Sequence, residues 1–102
     1  MCNKSTASAA ELFTSAIRDY GEMGIIEEVI VGTETYGKGI MQNTEILKDG
    51  ATLTMTIAYY NPPLGENYHG VGVIPDVTVE LTDNVDTQLS TALSELLVLI
   101  SD

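Results

Sequence analysis

Basic residues are scarce in this sequence, which has four lysines and arginines against 15 aspartates and glutamates and a formal net charge of −11. Nucleic acids and anionic membrane surfaces attract proteins through clusters of lysine and arginine. The charge therefore argues against nucleic acid and against anionic lipid as partners of this chain.

Cysteine and long apolar runs are also lacking. Cys2 is the only cysteine, which excludes an internal disulfide and any metal site built from several cysteines. No apolar run approaches the ~20 residues that a membrane-spanning helix needs. The first residues also lack the charged and then apolar regions of a signal peptide. A length of 102 residues predicts at most one domain with a single modest core.

The N-terminal part of the chain predicts one helix. Ser8 and Glu11 have the spacing of a capping box, in which a serine caps the first turn and a glutamate reaches back to it. Apolar residues then recur at intervals of three and four, namely Leu12, Phe13, Ala16, Ile17 and Tyr20. Gly21 supplies a stop signal. We predict a helix from about Ala9 to Tyr20.

Three strands are predicted next. Segments 25–35 and 40–47 are rich in β-branched residues, and the glycines between them predict a hairpin that holds Lys38 at its tip. The Lys-Asp-Gly sequence at 48–50 is a strong turn signal. Apolar and polar residues alternate in segment 53–59, which predicts a half-buried strand.

The remaining chain predicts a loop, a short strand and a helix. Two prolines interrupt segment 61–67, so this segment cannot continue a sheet, whereas segment 77–80 alternates as a short strand does. Segment 85–100 has apolar residues at helical spacing, with Asp83 and Asp86 near its positive N-terminal end. The order helix, three strands, loop, strand, helix indicates an α/β fold.

Lys38 is the most informative single residue, because it is one of the few basic residues and stands between Gly37 and Gly39. A charged lysine that a hairpin holds inward, away from water, is destabilising. Such a lysine pairs with a carboxylate, reaches water, or loses its proton and becomes a base. Because acids are in large excess, pairing is the simplest of these outcomes.

Several short motifs follow one another along the chain. Segment 5–12 has the sequence STASAAEL, segment 31–39 VGTETYGKG, segment 70–76 GVGVIPD and segment 86–89 DTQL. In the same order they resemble G-S-A-S-A-S-E-I, V-G-E-x-T-F-G-K-G, G-x-G-I-x-P-D and D-x-Q-L of the carboxyl-terminal processing peptidases, the tail-specific serine proteases of family S41. Gln42 also matches the family's glutamine four residues after the lysine. The resemblance covers nearly the whole chain.

The resemblance implies a serine endopeptidase that cleaves polypeptide substrates near their C-termini through a Ser-Lys dyad. The nucleophile falls on Ser8 and the general base on Lys38, with Gln42 orienting the lysine. A serine at a helix start also aims the backbone N–H of Ala9 at a developing oxyanion. The resemblance implies no cofactor and no metal.

The family fold is the ClpP/crotonase type, which is built from ββα units. By resemblance, residues 1–102 form a partial domain, the C-terminal part of an S41 catalytic domain whose N-terminal part, with a PDZ-like domain, lies upstream. We therefore expect this chain alone to be inactive and to form a homo-oligomer through the truncated sheet. The resemblance also implies an extracytoplasmic or cell-envelope location.

Simpler roles are open for the same residues. Ser8 alone is typical of an N-cap, and Lys38 of a paired or solvated lysine. Ser5 and Thr6 are rival hydroxyls, and His69 is an ordinary loop histidine in a family whose chemistry uses no histidine. For the whole chain, the alternatives are a non-catalytic binding or scaffold domain that retains the S41 fold, and an acidic interaction module of other ancestry.

Overall fold

A computed structural model describes residues 1–82 and 86–101. The elements in chain order are α1 (Ala9–Glu22), β1 (Val31–Gly32), β2 (Ile40–Ile46), β3 (Thr52–Tyr59), β4 (Val77–Thr78) and α2 (Thr87–Ile100). This order is the predicted one, so the mixed α/β class is confirmed.

β1 lies at the centre of a small parallel sheet. On one edge Val31 lies opposite Val77 of β4, and on the other edge Cys2 forms a parallel bridge to Gly32. The Cys2 strand approaches so closely that a β-carbon on Gly32 would lie 1.8 Å from the Cys2 carbonyl oxygen, so only glycine fits there. The apolar core includes the bridge residue Cys2 and consists of Cys2, Ile30, Tyr68 and Val73, with Leu12 and Tyr60 packed against it.

The strand predicted over 25–35 is wrong in extent and in partner. Only Val31–Gly32 is a strand, and it pairs with β4 rather than with β2. No hairpin therefore forms around Lys38, which lies in the connection between two separate sheets. One reason is that Asp76 takes a backbone group that a longer ladder would use, since the N–H of Ile30 donates to Asp76 Oδ2 at 2.7 Å.

β2 and β3 form an antiparallel hairpin, in which Thr44 lies opposite Thr54. The N–H of Gly50 donates to the carbonyl of Leu47 at 3.0 Å and closes the connection, so the turn predicted at 48–50 is confirmed. Both strands lie where the β-branched and alternating patterns predict them.

The prediction that β3 is half-buried is wrong. Leu53, Met55 and Ile57 are 46%, 44% and 55% exposed. Alternation predicts burial only when another layer covers one face of the strand, and the described chain places no layer over the hairpin. The radius of gyration is accordingly 16.9 Å, against about 13 Å for a compact domain of 100 residues.

α2 begins at Thr87, after an N-cap at Asp86 whose carboxylate accepts the N–H of Leu89 at 3.0 Å. Gln88 is buried and donates to the carbonyl of Val79 at 2.8 Å, which ties the helix to the end of β4. Residues 83 and 85 of the predicted helix start lie outside the described residues. Within the described ranges, no helix is both long enough and apolar enough to cross a membrane.

Candidate active site

Ser8 occupies a sharp turn between the Cys2 bridge and α1. Its φ and ψ are 55° and −117°, and it is the one non-glycine residue with positive φ in ranges 1–82 and 86–101. Such a conformation costs of order 1–3 kcal/mol for a residue with a side chain, and strain of this kind clusters at active sites. In serine hydrolases a strained turn between a strand and a helix exposes the nucleophilic hydroxyl. The backbone of Ser8 has the features of that kind of turn.

α1 forms where the capping and apolar patterns predict it, and it ends at Glu22 instead of Tyr20. Its buried face, however, is polar and consists of Glu11, Ser15 and Asp19, while Phe13 is 70% exposed. The buried carboxylates bind the backbone of neighbouring loops. Asp19, for example, accepts the N–H of Leu64 at 2.9 Å. α1 therefore holds loops in place through hydrogen bonds as well as through apolar contact.

Glu11 is the central acceptor of the site, and its side chain is fully buried. Oε1 accepts the N–H of Ser8 at 3.0 Å and the N–H of Lys38 at 2.8 Å. Oε2 accepts the hydroxyl of Thr35 at 2.5 Å and the N–H of Gly37 at 2.7 Å. One carboxylate thus joins the start of α1 to the connection between β1 and β2, residues 33–39, which we call the Lys38 loop.

The hydrogen bonds to Glu11 also decide its charge. Burial alone would raise the pKa of this carboxyl, but the hydrogen bonds from Thr35, Lys38, Gly37 and Ser8 outweigh burial and hold the pKa below its usual value. Glu11 is therefore ionised at neutral pH, and a fixed negative charge lies behind the Lys38 loop.

The Lys38 loop is held from a second direction by the chain that leads to β4. The N–H of Thr35 donates to the carbonyl of Val73 at 3.2 Å, and the N–H of Val73 returns a bond to the Thr35 hydroxyl at 2.7 Å. The N–H of Gly70 donates to the carbonyl of Gly37 at 2.8 Å. The loop is therefore fixed between α1 and this second segment.

The amine of Lys38 has no ion-pair partner within residues 1–82 and 86–101. The side chain is half-buried, and within the described residues the only ion pair joins Arg18 to Asp19 at 3.2 Å. The pairing expected from the excess of acids is therefore not formed with any carboxylate that the structure describes. Across the part of the chain that the structure describes, no side-chain hydrogen bond joins Lys38 to Ser8 or to Gln42.

The other predicted site residues lie on neighbouring elements. Ala9 is the first residue of α1, so its N–H is one of the helix-start donors that have no partner within the helix. Gln42 lies on β2 directly after an irregularity in the ladder, opposite Thr56, and is exposed.

Tyr68 supports the turn at Ser8. The ring is buried, and the hydroxyl donates to the carbonyl of Ser8 at 3.4 Å. Burial, with smaller contributions from Glu11 and Tyr60, raises the pKa of Tyr68 to about 12. The hydroxyl therefore stays protonated and remains a donor over the whole neutral range.

Comparison with known proteins identifies the family of this chain. The family model described as Peptidase family S41 matches residues 1–79. The chain belongs to peptidase family S41. The matched range includes Ser8, Lys38 and Gln42, so the resemblance seen in the short motifs is confirmed at the level of the family.

Individual relatives of this S41 chain agree with the family. It is 39% identical over 80 residues to a probable CtpA-like serine protease of Staphylococcus aureus (strain COL), a match that covers 78% of this chain and 15% of that protein. The protein of the same description from Staphylococcus haemolyticus (strain JCSC1435) is 39% identical over 79 residues, with the same coverage.

A solved structure, that of a photosystem II D1 C-terminal processing protease, matches this S41 chain with a TM-score of 0.66 and 36% identity. The match covers 76% of this chain and 19% of that one. The chain thus spans less than a fifth of the length of these relatives.

Some site residues carry little signal in the sequence. The capping-box spacing predicts the hydrogen bond that the Ser8 N–H donates to Glu11, and this bond is confirmed. The spacing does not predict the bonds that Glu11 accepts from the Lys38 loop. Thr35 could have been found from its place three residues before the lysine in the VGTETYGKG motif. Nothing in the sequence distinguishes Tyr68 from other tyrosines.

Proposed function

We propose that this chain supplies the Ser-Lys dyad of a serine endopeptidase of the C-terminal processing type, with Ser8 as nucleophile and Lys38 as general base. The observation that carries the proposal is the shared carboxylate. Ser8 and Lys38 come from distant parts of the sequence, and both donate their backbone N–H groups to Oε1 of Glu11. The two residues are therefore held as neighbours by one buried anion.

In the proposed reaction, Ser8 Oγ attacks the carbonyl carbon of the scissile peptide bond while its proton passes to Lys38 Nζ. The oxyanion that develops on the former carbonyl oxygen accepts the N–H of Ala9. Lys38 then gives the proton to the leaving amine, and the C–N bond breaks. A water molecule hydrolyses the acyl-enzyme in the same way, with Lys38 again accepting the proton. Gln42 orients the amine.

Two further features support these assignments. The strained backbone of Ser8 is not needed for capping, since N-cap residues ordinarily have β-region dihedral angles. The amine of Lys38 has no carboxylate partner within the described residues, so no ion pair restrains it from turning toward Ser8. Apo active sites are commonly looser than working ones, so a missing Ser8–Lys38 hydrogen bond is compatible with the proposal.

We further infer that residues 1–102 form the C-terminal part of a longer S41 catalytic domain of the ClpP/crotonase type, with a PDZ-like domain upstream and an extracytoplasmic or cell-envelope location. The small share of the relatives' length that the chain spans supports this inference. The uncovered faces of the hairpin, which expose Leu53 and Ile57, favour self-association of the chain when it is alone.

The dyad is tested in the intact peptidase that contains this segment. Lys38→Ala should abolish cleavage of an unstructured peptide with little loss of folding stability, and Ser8→Ala should abolish labelling by a fluorophosphonate probe. Unchanged turnover in Lys38→Ala would exclude Lys38 as the base. A folded wild-type protein that neither cleaves peptide nor takes the probe would instead favour a scaffold that retains the fold without activity.

The 102-residue chain alone should not cleave peptides at a useful rate, because loss of even one oxyanion donor costs on the order of 100- to 1000-fold in rate. The measurement compares the purified chain with its Ser8→Ala variant on a peptide that ends in small apolar residues. Ser8-dependent cleavage as fast as that of the intact peptidase would show that the segment holds a complete site.

A further inference from the structure

We propose that His69 is a positioning residue for Lys38, which it holds through the peptide group of Gly39. The proposal rests on the function proposed above, because it concerns the placement of the general base. It assigns a specific role to a histidine that has no part in the dyad chemistry.

Gly39 is bound at both of its backbone groups by the segment around His69. Its N–H donates to His69 Nδ1 at 3.3 Å, and its carbonyl accepts the side-chain amide of Asn67 at 2.9 Å. The same carbonyl accepts the N–H of Tyr60 at 2.8 Å. The backbone N–H of His69 donates to Asn67 Oδ1 at 2.9 Å, so the side chain of Asn67 links the backbone of His69 to that of Gly39. A β-carbon on Gly39 would lie 2.9 Å from the His69 nitrogen, which shows how closely the two backbones approach.

These bonds complete the restraint of the lysine. Glu11 fixes the peptide on the N-terminal side of Lys38 by accepting its N–H, and His69 with Asn67 fixes Gly39 on the C-terminal side. The α-carbon of Lys38 is therefore held from both directions, and only its side chain is left to turn. Loss of the bond from the Gly39 N–H to His69 frees the backbone on the C-terminal side of Lys38 and lets the amine move away from its working position.

The contact requires one form of the imidazole. Nδ1 can accept a hydrogen bond only when the ring is neutral and carries its proton on Nε2. A protonated ring presents an N–H at Nδ1 to the N–H of Gly39, so the two donors oppose each other. The titratable and charged groups near this contact are Tyr59, whose ring meets that of His69 edge-on at 6.4 Å, Lys38 beside Gly39, and Glu11 behind the loop.

Two substitutions separate the role of the acceptor from that of the ring. His69→Asn retains an oxygen acceptor close to the position of Nδ1 but has no ring that can be protonated. His69→Ala removes the acceptor. In the intact peptidase, we expect His69→Ala to lower kcat by about 10- to 100-fold with little change in KM, as for a small misplacement of a catalytic group. His69→Asn should restore most of kcat and remove any loss of rate that follows protonation of the wild-type ring.

A second measurement does not depend on activity. In the 102-residue chain, the chemical shift of the Gly39 amide and its protection factor, which corrects for the pH dependence of intrinsic exchange, should both change when the His69 ring is protonated in the wild type, and neither should show this change in His69→Asn. His69→Ala should exchange this amide at least about tenfold faster. The proposal would be overturned if the chemical shift and the protection factor of the Gly39 amide changed neither with protonation of His69 nor in His69→Ala.

Failure of the proposed function would look different. If Lys38→Ala keeps full turnover while the Gly39 amide responds to His69, the contact exists but Lys38 is not the base. If Lys38→Ala is inactive while His69→Ala keeps the wild-type kcat, the dyad stands and the positioning role of His69 is refuted.

Discussion

Ser8 and Lys38 donate their backbone N–H groups to the same carboxylate oxygen, Oε1 of Glu11, at 3.0 and 2.8 Å. Because both hydrogen bonds end on the same oxygen, the distance between the backbone nitrogens of Ser8 and Lys38 cannot exceed the sum of the two bond distances. A buried carboxylate with four donors is difficult to replace, since each donor left unpaired in the interior is destabilising. Glu11 therefore couples the stability of the fold to the geometry of the site.

Glu11→Gln should lower the free energy of unfolding at pH 7 by at least about 3 kcal/mol, because an amide nitrogen would face donors and the charge-assisted bonds would be lost. The lowered pKa of Glu11 means that its contribution is present at neutral pH and is lost as the pH falls through the acidic range. Urea denaturation across that range measures both effects. Glu66→Gln on the exposed loop is the matched control, and equal stability of the two variants would contradict the role given to Glu11.

Ser8→Gly should be more stable than Ser8→Ala by about 1 kcal/mol, because glycine adopts a φ of 55° without the steric cost that a β-carbon brings. In the intact peptidase, both variants should lose activity because each lacks the Ser8 hydroxyl. Thermal or urea denaturation of the two proteins tests the difference. Ser5→Ala, at an exposed rival hydroxyl, should keep full activity, and a loss of activity there would move the nucleophile to Ser5.

Glu28→Gln should stabilise the fold at pH 7 relative to the wild type. Burial and the nearby carboxylates of Asp76 and Glu22 raise the pKa of Glu28, with Arg18 opposing them, and Glu28 Oε2 is buried without a partner within the described residues. The folded state therefore holds the Glu28 proton more tightly than the unfolded state, and stability falls as the pH rises above the ordinary glutamate range.

After allowance for solvent screening, the expected gain for Glu28→Gln is on the order of 0.5 kcal/mol. Urea denaturation at several pH values between 4 and 7, together with the exposed neighbour variant Glu27→Gln, provides the test. The same pH slope in wild type and Glu28→Gln would show that another group causes it.

Tyr68→Phe should remove a loss of stability at alkaline pH. Because the pKa of Tyr68 is raised to about 12 in the fold, the wild type should lose stability as the pH rises from the ordinary tyrosine value of about 10 toward about 12. At neutral pH the variant should lose about 1 kcal/mol with its bond to the Ser8 carbonyl. Tyr36→Phe, at a 70% exposed tyrosine, should retain the wild-type alkaline slope.

The elements that local pattern determines could be predicted from the sequence. α1, β2, β3 and α2 depend on capping residues, β-branched runs, turn signals and the helical spacing of apolar residues, and all of them form where these patterns lie. β1 could not be bounded in this way, because its length depends on partners that are distant in sequence, such as Asp76 for the N–H of Ile30.

The candidate site shows the same difference between what local patterns predict and what depends on distant contacts. Ser8, Lys38 and Gln42 could be named because motifs mark them, whereas the contact that joins Ser8 to Lys38 could not be named. The capping-box pattern describes a bond over three residues and contains no information about the Lys38 loop. Burial of Glu11 depends on that loop closing over it, which is a property of the tertiary structure.

The polar buried face of α1 affects the heat capacity change of unfolding. Where a helix of this length usually buries hydrocarbon, this one buries Glu11, Ser15 and Asp19, and the hairpin buries little on either face. Exposure of apolar surface raises the heat capacity of the unfolded chain, and exposure of polar surface lowers it. Unfolding should therefore show a heat-capacity increment below the roughly 1.2–1.5 kcal/mol/K expected for 100 residues, and the curve of stability against temperature should be unusually flat.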